Sequence, residues 1–259
     1  MDQTIRRVVR ALTLGDDAER HFDLAAQRIQ HALLDVAIPE VNGFDIGVHA
    51  EPSRLVGGDY IDLHHIEKRA LVFALGDASG KSLAAAMTAL MLRYLVRGLL
   101  SALGTNDLAS VVSHVNTVVS DDLTDGSFIT FMLGVYEADG SLRFVNAGHE
   151  PPLILRAGAL QVETIHAHGI VLGIQHGATF TDAACTLGRG DLLVVYTDGL
   201  TEATNERGEL YTIDRLSQDL VEHRALPAQE VAEKLFETVR RYATGELRDD
   251  ATILVVRRV

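Results

Sequence analysis

Hydrophobic periodicity divides this chain into a helical start followed by alternating groups of strands and helices. In residues 6–36, apolar positions recur three, four and seven residues apart, which predicts helix with a break at Gly15. These positions are Phe22, Ile29, Leu33 and Val36. The stripe either packs on the following domain or acts as a dimer or signalling helix, and the pattern leaves both open.

Short apolar runs bounded by glycine and polar turns predict strands beyond Pro39. They cover residues 44–50, 60–66, 70–75, 129–136, 142–146, 153–155, 192–196 and 252–256. Helices are predicted at 82–100 and 107–122, with two more between 213 and 243. This order predicts an α+β fold, a four-layer α-β-β-α sandwich of two mainly antiparallel sheets flanked by helices. We expect an N-terminal helical segment at 1–38 and one domain at 39–259.

Composition narrows the class of protein. The chain has 259 residues, 47% of them hydrophobic, and a net charge of −13, which argues against a nucleic-acid partner. Cys185 is the only cysteine, so intramolecular disulfides and CxxC metal sites are excluded. The N-terminus lacks the pattern of a signal peptide. The most apolar stretch, residues 83–92, ends at Arg93 and is too short to span a bilayer, so we expect a cytoplasmic protein without a membrane partner.

Four aspartates stand where apolar strands meet turns, at Asp59, Asp77, Asp198 and Asp250. Singly, each is explained by the preference of aspartate for turns. Together they would place carboxylates at the edge of one core, where they repel each other unless a cation lies between them. Carboxylate oxygens are the ligands that Mg²⁺ and Mn²⁺ prefer. The set therefore indicates a divalent-metal site.

Glycines flank two of these acids. Gly57-Gly58 precede Asp59, and Gly76 and Gly80 surround Asp77. Without side chains they would let a backbone carbonyl or a substrate phosphate come close, although turn geometry alone also favours glycine.

Six ordered motifs carry a resemblance to a known family. They are Val56-Gly57-Gly58-Asp59-Tyr60-Ile61-Asp62, Gly76-Asp77-Ala78-Ser79-Gly80-Lys81, Phe128-Ile129-Thr130, Asn146-Ala147-Gly148-His149-Glu150-Pro151-Pro152, Tyr196-Thr197-Asp198-Gly199-Leu200-Thr201-Glu202 and Asp249-Asp250-Ala251-Thr252. From about Ala25 onwards the chain resembles the bacterial branch of type 2C (PPM) metal-dependent serine/threonine protein phosphatases, named after stage II sporulation protein E and the sigma-B regulator phosphatases. Ile61 replaces the usual aromatic residue, and Lys81-Ser82 replace the commoner His-Gly.

The resemblance implies a set of roles. Asp77 would bridge two Mn²⁺ or Mg²⁺ ions, with the carbonyl of Ala78 as a further ligand. Asp198 and Asp250 would complete the ligand set of one metal ion, and Asp59 would bind a metal ion directly or through a coordinated water. A hydroxide held between the metals would attack phosphorus in line, without a covalent enzyme intermediate. The implied substrate is a phosphorylated regulatory protein, of the anti-sigma factor antagonist type.

Three further residues carry weaker expectations. Arg54 could hold the substrate phosphate through paired hydrogen bonds, although an exposed loop arginine is the simpler interpretation. Asn146 and His149 are expected to shape a sheet edge and its loop rather than to do chemistry.

Two other functions share single features with this sequence. Gly57-Gly58-Asp59 is similar to the hairpin of diguanylate cyclases, but the chain continues with Tyr-Ile instead of Glu-Phe, and Asp198 and Asp250 stay unexplained. A pseudophosphatase that only binds partners would be expected to lose a metal aspartate, and none is lost. Family members usually carry a sensor domain first. Since only about 20 residues precede the similar region, we expect independent action or control by a partner at the N-terminal helices, with a homodimer through them as one form.

Overall fold

The computed structural model describes residues 29, 33–53, 57–80, 82–123, 126–167, 169–245 and 247–259. Most of the predicted N-terminal helical segment lies outside these residues, as do Arg54 and Lys81. Ile29, Leu33 and Leu34 are helical, and Leu33 is fully buried. Leu33 belongs to the core beneath the first long helix, so the core of the domain begins before residue 39.

Ten strands are present in the described part of the chain. They are β1 Phe44–Glu51, β2 Asp59–Ile66, β3 Ala70–Ala78, β4 Ile129–Glu137, β5 Ser141–Ala147, β6 Leu153–Leu155, β7 Val162–Thr164, β8 Ala183–Thr186, β9 Leu192–Tyr196 and β10 Ala251–Arg258. The helices beyond Leu34 are α1 Leu83–Leu103, α2 Leu108–Asp122, α3 Asp198–Thr201, α4 Thr212–His223 and α5 Ala228–Tyr242.

The strands form two five-stranded sheets whose neighbours all pair antiparallel. Sheet A has the order β1-β10-β9-β6-β7, and sheet B has the order β2-β3-β4-β5-β8. Sheet B is largely a meander of successive strands, whereas sheet A joins β1 to β10 from the far end of the chain. The prediction of mainly antiparallel sheets is confirmed.

Each central strand is buried on both faces, and its side chains alternate between two cores. In β3, Leu71, Phe73 and Leu75 lie in the core between the sheets. Val72 and Ala74 lie on the opposite face, in the core beneath α1 and α2. This alternation is the period of two that a strand imposes, and it explains why β3 reads as a continuous apolar run.

Helices cover the outer face of each sheet. α1 and α2 pack on sheet B, and α4 and α5 pack on sheet A with side chains such as Leu216 and Leu235 in a third core. The layers therefore run helix, sheet, sheet, helix, and the predicted four-layer sandwich is confirmed.

α1 differs from its predicted extent. The helix passes through Arg93 and ends at Leu103, and among the described residues it is the one helix long and apolar enough, by length and composition, to cross a membrane. In the fold it packs on β2 and β3. The buried Arg93 guanidinium donates to the carbonyls of Leu33 (2.6 Å) and Ile61 (2.5 Å). A single helix of this kind is weak evidence for a membrane span.

Candidate metal centre

Strand periodicity aims the predicted aspartates of sheet B into the space between the sheets. Counting in twos along β2 from Ile61, and along β3 from Leu75, reaches Asp59 and Asp77 on the inner face. The two residues are register partners across the β2–β3 ladder. Facing positions on adjacent strands place side chains about 5 Å apart at Cβ, so the two carboxylates are close neighbours.

Residues of sheet A lie at the same end of the space between the sheets. Counting in twos from Leu254 and Val195, which lie between the sheets, reaches Thr252 and Thr197 on the inner face, with Asp250 just before β10. The structure thus brings Asp59, Asp77 and Asp250 together from two sheets.

Asp59 is the most deeply buried of these acids, with 1% of its surface exposed. Its Oδ2 accepts hydrogen bonds from the hydroxyls of Thr197 and Thr252, each at 2.8 Å. Burial raises the pKa of Asp59 well above its ordinary value, and the neighbouring charges of Asp77 and Asp250 raise it further, while the two hydroxyls lower it. A carboxylate in this position is one whose negative charge a bound cation would stabilise.

Asp250 is held by donors from the segment before β2. Its Oδ1 accepts from the backbone N–H of Ser53 (2.7 Å) and from the Ser53 hydroxyl (3.0 Å). Its Oδ2 accepts from the backbone N–H of Gly58 (2.8 Å). These three bonds fix the carboxylate against the turn that leads into Asp59.

The glycines of that turn permit its close contacts. A Cβ on Gly57 would lie 1.6 Å from Asp250 Oδ2, and a Cβ on Gly58 would lie 2.1 Å from the Ala78 carbonyl oxygen. The expectation that Gly57 and Gly58 admit close approach agrees with these distances. At the other pair, Gly76 makes room for the ring of Tyr60 and its Cβ position lies 3.3 Å from the Thr130 carbonyl oxygen. Gly80 has a φ of +99° with nothing within 4 Å of its Cβ position, so the approach of a substrate phosphate there stays a prediction.

Asp198 lies in a second acidic group. It is the first residue of α3, directly after Thr197, and its pKa is raised to about 6. Burial is the main cause, followed by the negative charges of Glu202, Asp249 and Glu150. Sequence neighbours connect the two acidic groups. Asp198 follows Thr197, which bonds Asp59, and Asp249 precedes Asp250.

The donor chemistry fits a hard divalent cation. Carboxylates converge at the buried end of the sandwich, and the Ala78 carbonyl oxygen lies against Gly58 beside them. Within the described ranges, however, no three His, Cys, Asp or Glu side chains already form a cluster in metal-binding geometry. The residues therefore supply the oxygen ligands that Mg²⁺ or Mn²⁺ prefers, but in the described part of the chain they do not form a complete coordination shell.

Asn146 and His149 brace a turn beside the centre, as the sequence predicts. The Asn146 amide donates to the His149 carbonyl (2.9 Å), and the His149 N–H donates to Asn146 Oδ1 (2.7 Å). The buried His149 ring also contacts the Thr130 hydroxyl through Nδ1 at 3.0 Å.

The roles of Thr197, Thr252 and Ser53 were not predicted from the sequence. The threonines stand inside quoted motifs, and counting in twos from the predicted strand cores would have placed them on the inner face. The contact of Ser53 with Asp250 spans 197 positions and leaves no local signal.

Comparison with known proteins decides the family. Residues 67–259 match the family model described as Stage II sporulation protein E (SpoIIE). The chain belongs to this family. Its assignment to the SpoIIE and RsbU branch of the bacterial PPM phosphatases is thereby confirmed. β1 and β2 precede the matched residues, yet each forms an edge of one sheet.

Two curated relatives of this SpoIIE-family chain differ in how much of their length they share with it. It is 29% identical over 247 residues to the phosphoserine phosphatase RsbU of Bacillus subtilis, covering 95% of this chain and 72% of RsbU. It is 25% identical over 259 residues to the protein IcfG of Synechocystis, of which it spans 40%. IcfG is thus a much longer protein.

Solved structures share the fold. The structure of the RsbU and RsbW domains of Rv1364c from Mycobacterium tuberculosis matches with a TM-score of 0.74 and 25% identity, covering 86% of this chain and 61% of that one. The catalytic domain of the serine/threonine phosphatase PstP, solved in complex with two manganese ions, matches with a TM-score of 0.59 and 17% identity, covering 83% and 97%. The second likeness concerns the fold alone.

Proposed function

We propose that this chain is a metal-dependent protein phosphatase that hydrolyses phosphoserine or phosphothreonine on a regulatory protein. The observation that carries the proposal is the convergence of Asp59 and Asp77, register partners on sheet B, with Asp250 from sheet A in the buried space between the sheets. Burying like charges together is costly without a cation. SpoIIE-family membership gives that cation a role in catalysis.

The residues that would hold the cations are those the resemblance named: Asp59, Asp77, Asp198, Asp250 and the carbonyl of Ala78. Two Mn²⁺ or Mg²⁺ ions, when bound, would supply an activated water as nucleophile and offset the charge of the phosphoryl group. The chain's own part is to orient the ligands. Ser53 and Gly58 fix Asp250, while Thr197 and Thr252 fix one oxygen of Asp59.

The substrate in this proposal is a protein carrying one phosphorylated serine or threonine, of the anti-sigma factor antagonist type. The similarity to the phosphoserine phosphatase RsbU supports it. Arg54 stays a candidate for binding the substrate phosphate, because residues on both sides of it in the sequence contact Asp250. Ser53 donates a hydrogen bond to the Asp250 carboxylate, and Gly57 packs closely against that carboxylate.

Hydrolysis of a phosphoserine peptide and of p-nitrophenyl phosphate, with and without Mn²⁺, tests the proposal. We expect the wild type to require Mn²⁺ and Asp77→Asn to lose at least 100-fold in kcat. Asp139→Asn, in the exposed turn between β4 and β5, is the matched control and should retain full activity. Equal activity of wild type and Asp77→Asn, or activity that survives metal chelation, would refute the proposal.

We further propose a cytoplasmic protein in which residues 1–38 form a regulatory or dimerising segment ahead of the phosphatase domain at 39–259. The burial of Leu33 in the domain core supports a physical connection between the two parts. Deletion of residues 1–24 should change the oligomeric state measured by light scattering, the Mn²⁺ affinity or the rate of hydrolysis. If none of these changes, this role for the segment is wrong.

A further inference from the structure

Two threonines from one sheet bond the same oxygen of an aspartate on the other. The hydroxyls of Thr197 and Thr252, in sheet A, both donate to Oδ2 of Asp59, in sheet B, each at 2.8 Å. The three side chains are at most 1% exposed. We call Thr197 and Thr252 the threonine pair.

The backbone fixes where the Thr197 proton goes. Thr197 Oγ1 accepts the backbone N–H of Thr252 at 2.9 Å, so its own hydrogen is left to point towards Asp59. The Thr197 N–H in turn donates to the Thr252 carbonyl at 3.0 Å, which continues the β9–β10 pairing by one step. The two hydroxyls therefore stand at a separation set by the sheet rather than by free side-chain rotation.

The arrangement does more than satisfy a buried carboxylate. Donors spread over both carboxylate oxygens would be enough to satisfy the hydrogen-bonding capacity of Asp59, but both threonine hydroxyls donate to Oδ2. Two donors on one oxygen fix the rotation of the carboxylate plane and leave Oδ1 unused by the threonine pair. Ligand carboxylates in metal sites are commonly oriented by hydrogen bonds of this kind, and loss of such a partner costs about 10- to 100-fold in metal affinity or activity.

The threonine pair also links the sheets at the position where their acids meet. Thr197 directly precedes Asp198, and Thr252 follows Asp250 by two residues, which places the four residues beside the adjoining ends of β9 and β10 in sheet A. A bond from either threonine to Asp59 therefore sets the position of these carboxylates relative to sheet B.

We propose that Thr197 and Thr252 are positioning residues that fix the Asp59 carboxylate so that Oδ1 is presented to the divalent cation. The inference rests on the proposed metal-dependent function and adds to it two residues, neither of them a ligand. Thr252 is the cleaner one to test, because Thr197 also accepts the Thr252 N–H and its loss would leave that buried group unpaired.

The experiment is calorimetric titration of the metal-free full chain with Mn²⁺, together with the Mn²⁺ concentration for half-maximal peptide hydrolysis. Thr252→Val keeps the shape of the side chain and removes the hydroxyl, while Thr252→Ser keeps the hydroxyl. Thr204→Val is the matched control, because the Thr204 hydroxyl is buried and bonds to no other group in the described part of the chain. Circular dichroism of each metal-free variant checks that it is folded.

We expect Thr252→Val to weaken Mn²⁺ binding about tenfold and to raise the half-activating concentration in parallel, with the KM for peptide at saturating Mn²⁺ unchanged. The Mn²⁺ affinity of Thr252→Ser should stay within about threefold of the wild-type value, and that of Thr204→Val should equal the wild-type value. Wild-type affinity in Thr252→Val, or equal losses in the Val and Ser variants, would overturn the inference. Failure of the wild type itself to bind Mn²⁺ would instead refute the proposed function.

Discussion

At the scale of single residues, close contacts rather than charge alone define the centre. Gly57 and Gly58 allow one turn to lie against both the Asp250 carboxylate and the Ala78 carbonyl. No other residue has a side chain small enough for either distance. The acids can therefore converge only because the chain omits side chains beside them.

Gly58→Ala should damage the centre. The new Cβ would lie 2.1 Å from the Ala78 carbonyl and 2.9 Å from Asp77 Oδ1, so the turn or the end of β3 must move. We expect a loss of at least tenfold in Mn²⁺-dependent activity and of about 1–3 kcal/mol in the free energy of unfolding, measured by urea denaturation.

Gly98→Ala provides the matched control for that change. Gly98 lies on the exposed face of α1 with nothing within 4 Å of its Cβ position. Alanine should stabilise the protein by about 0.5–1 kcal/mol and leave activity unchanged. A harmless Gly58→Ala would show that the turn is not tightly constrained.

The sequence predicts much of this residue-level picture. The four aspartates are identifiable from their positions beside apolar runs, and the period of two aims Asp59 and Asp77 to one face. The sequence does not reveal that Asp198 lies in a separate acidic group with Glu150, Glu202 and Asp249. That grouping depends on where loops from distant strands end, which local pattern does not encode.

At the scale of elements, an ion pair attaches α1 to the strand that carries Asp59. Arg97 Nε donates to Asp62 Oδ2 (2.7 Å) and Arg97 Nη2 to Asp62 Oδ1 (2.6 Å). The Asp62 side chain is 4% exposed and that of Arg97 is 48% exposed. Asp62 thus lies on the helix-facing side of β2, opposite to Asp59 and Ile61.

Arg97→Met should destabilise the fold by leaving the Asp62 carboxylate buried without its ionic partner. Because half of the arginine is in solvent, we expect about 2 kcal/mol in the free energy of unfolding rather than the larger cost of a fully buried pair. Lys234→Met, which breaks the exposed pair with Glu237 in α5, should change nothing measurable in the same urea titration. Equal effects of the two variants would contradict this assignment.

Helix starts were predicted more accurately than short edge strands. Ser82 and Asp107 cap α1 and α2 through bonds to the N–H groups of Ala85 and Ser110, and serine and aspartate are recognisable caps. β7 and β8 have three and four residues, and no prediction covered them. Such strands form where a neighbouring strand offers unpaired backbone groups, and their own side chains give little sign of it.

At the scale of the whole molecule, acid should weaken the fold through His149. Burial lowers the pKa of His149 from 6.5 to about 4, partly offset by the Tyr196 backbone. As pH falls from 6.5 to 4, the unfolded chain gains a proton at this residue while the folded chain stays neutral there. The free energy of unfolding should therefore fall by about 3 kcal/mol across that window from this residue alone.

His149→Gln isolates that contribution. In the presence of a metal chelator, the urea midpoint of the wild type should fall relative to that of the variant as pH falls from 7 to 4, because the variant cannot take up the proton. Parallel slopes for the two proteins would contradict the assignment of acid sensitivity to His149.

The four-layer architecture follows from the order of predicted elements, but the pairing of strands does not. Sheet A places β10 between β1 and β9, which lie far apart in the sequence. Hydrophobic pattern shows that each strand needs two buried faces and leaves open which neighbour supplies its backbone partners.

The long-range pairing of β1 with β10 affects how this protein folds while it is being synthesised on the ribosome. Asp59 emerges with its sheet-B neighbours early, while the Thr252 hydroxyl that bonds it is made 193 positions later. Until then β1 has no strand to pair with, and sheet A lacks the strand that joins β1 to β9. We therefore expect β1 to stay unpaired until the last strand is made, and a nascent chain that ends before β10 to bind chaperones that recognise exposed apolar segments.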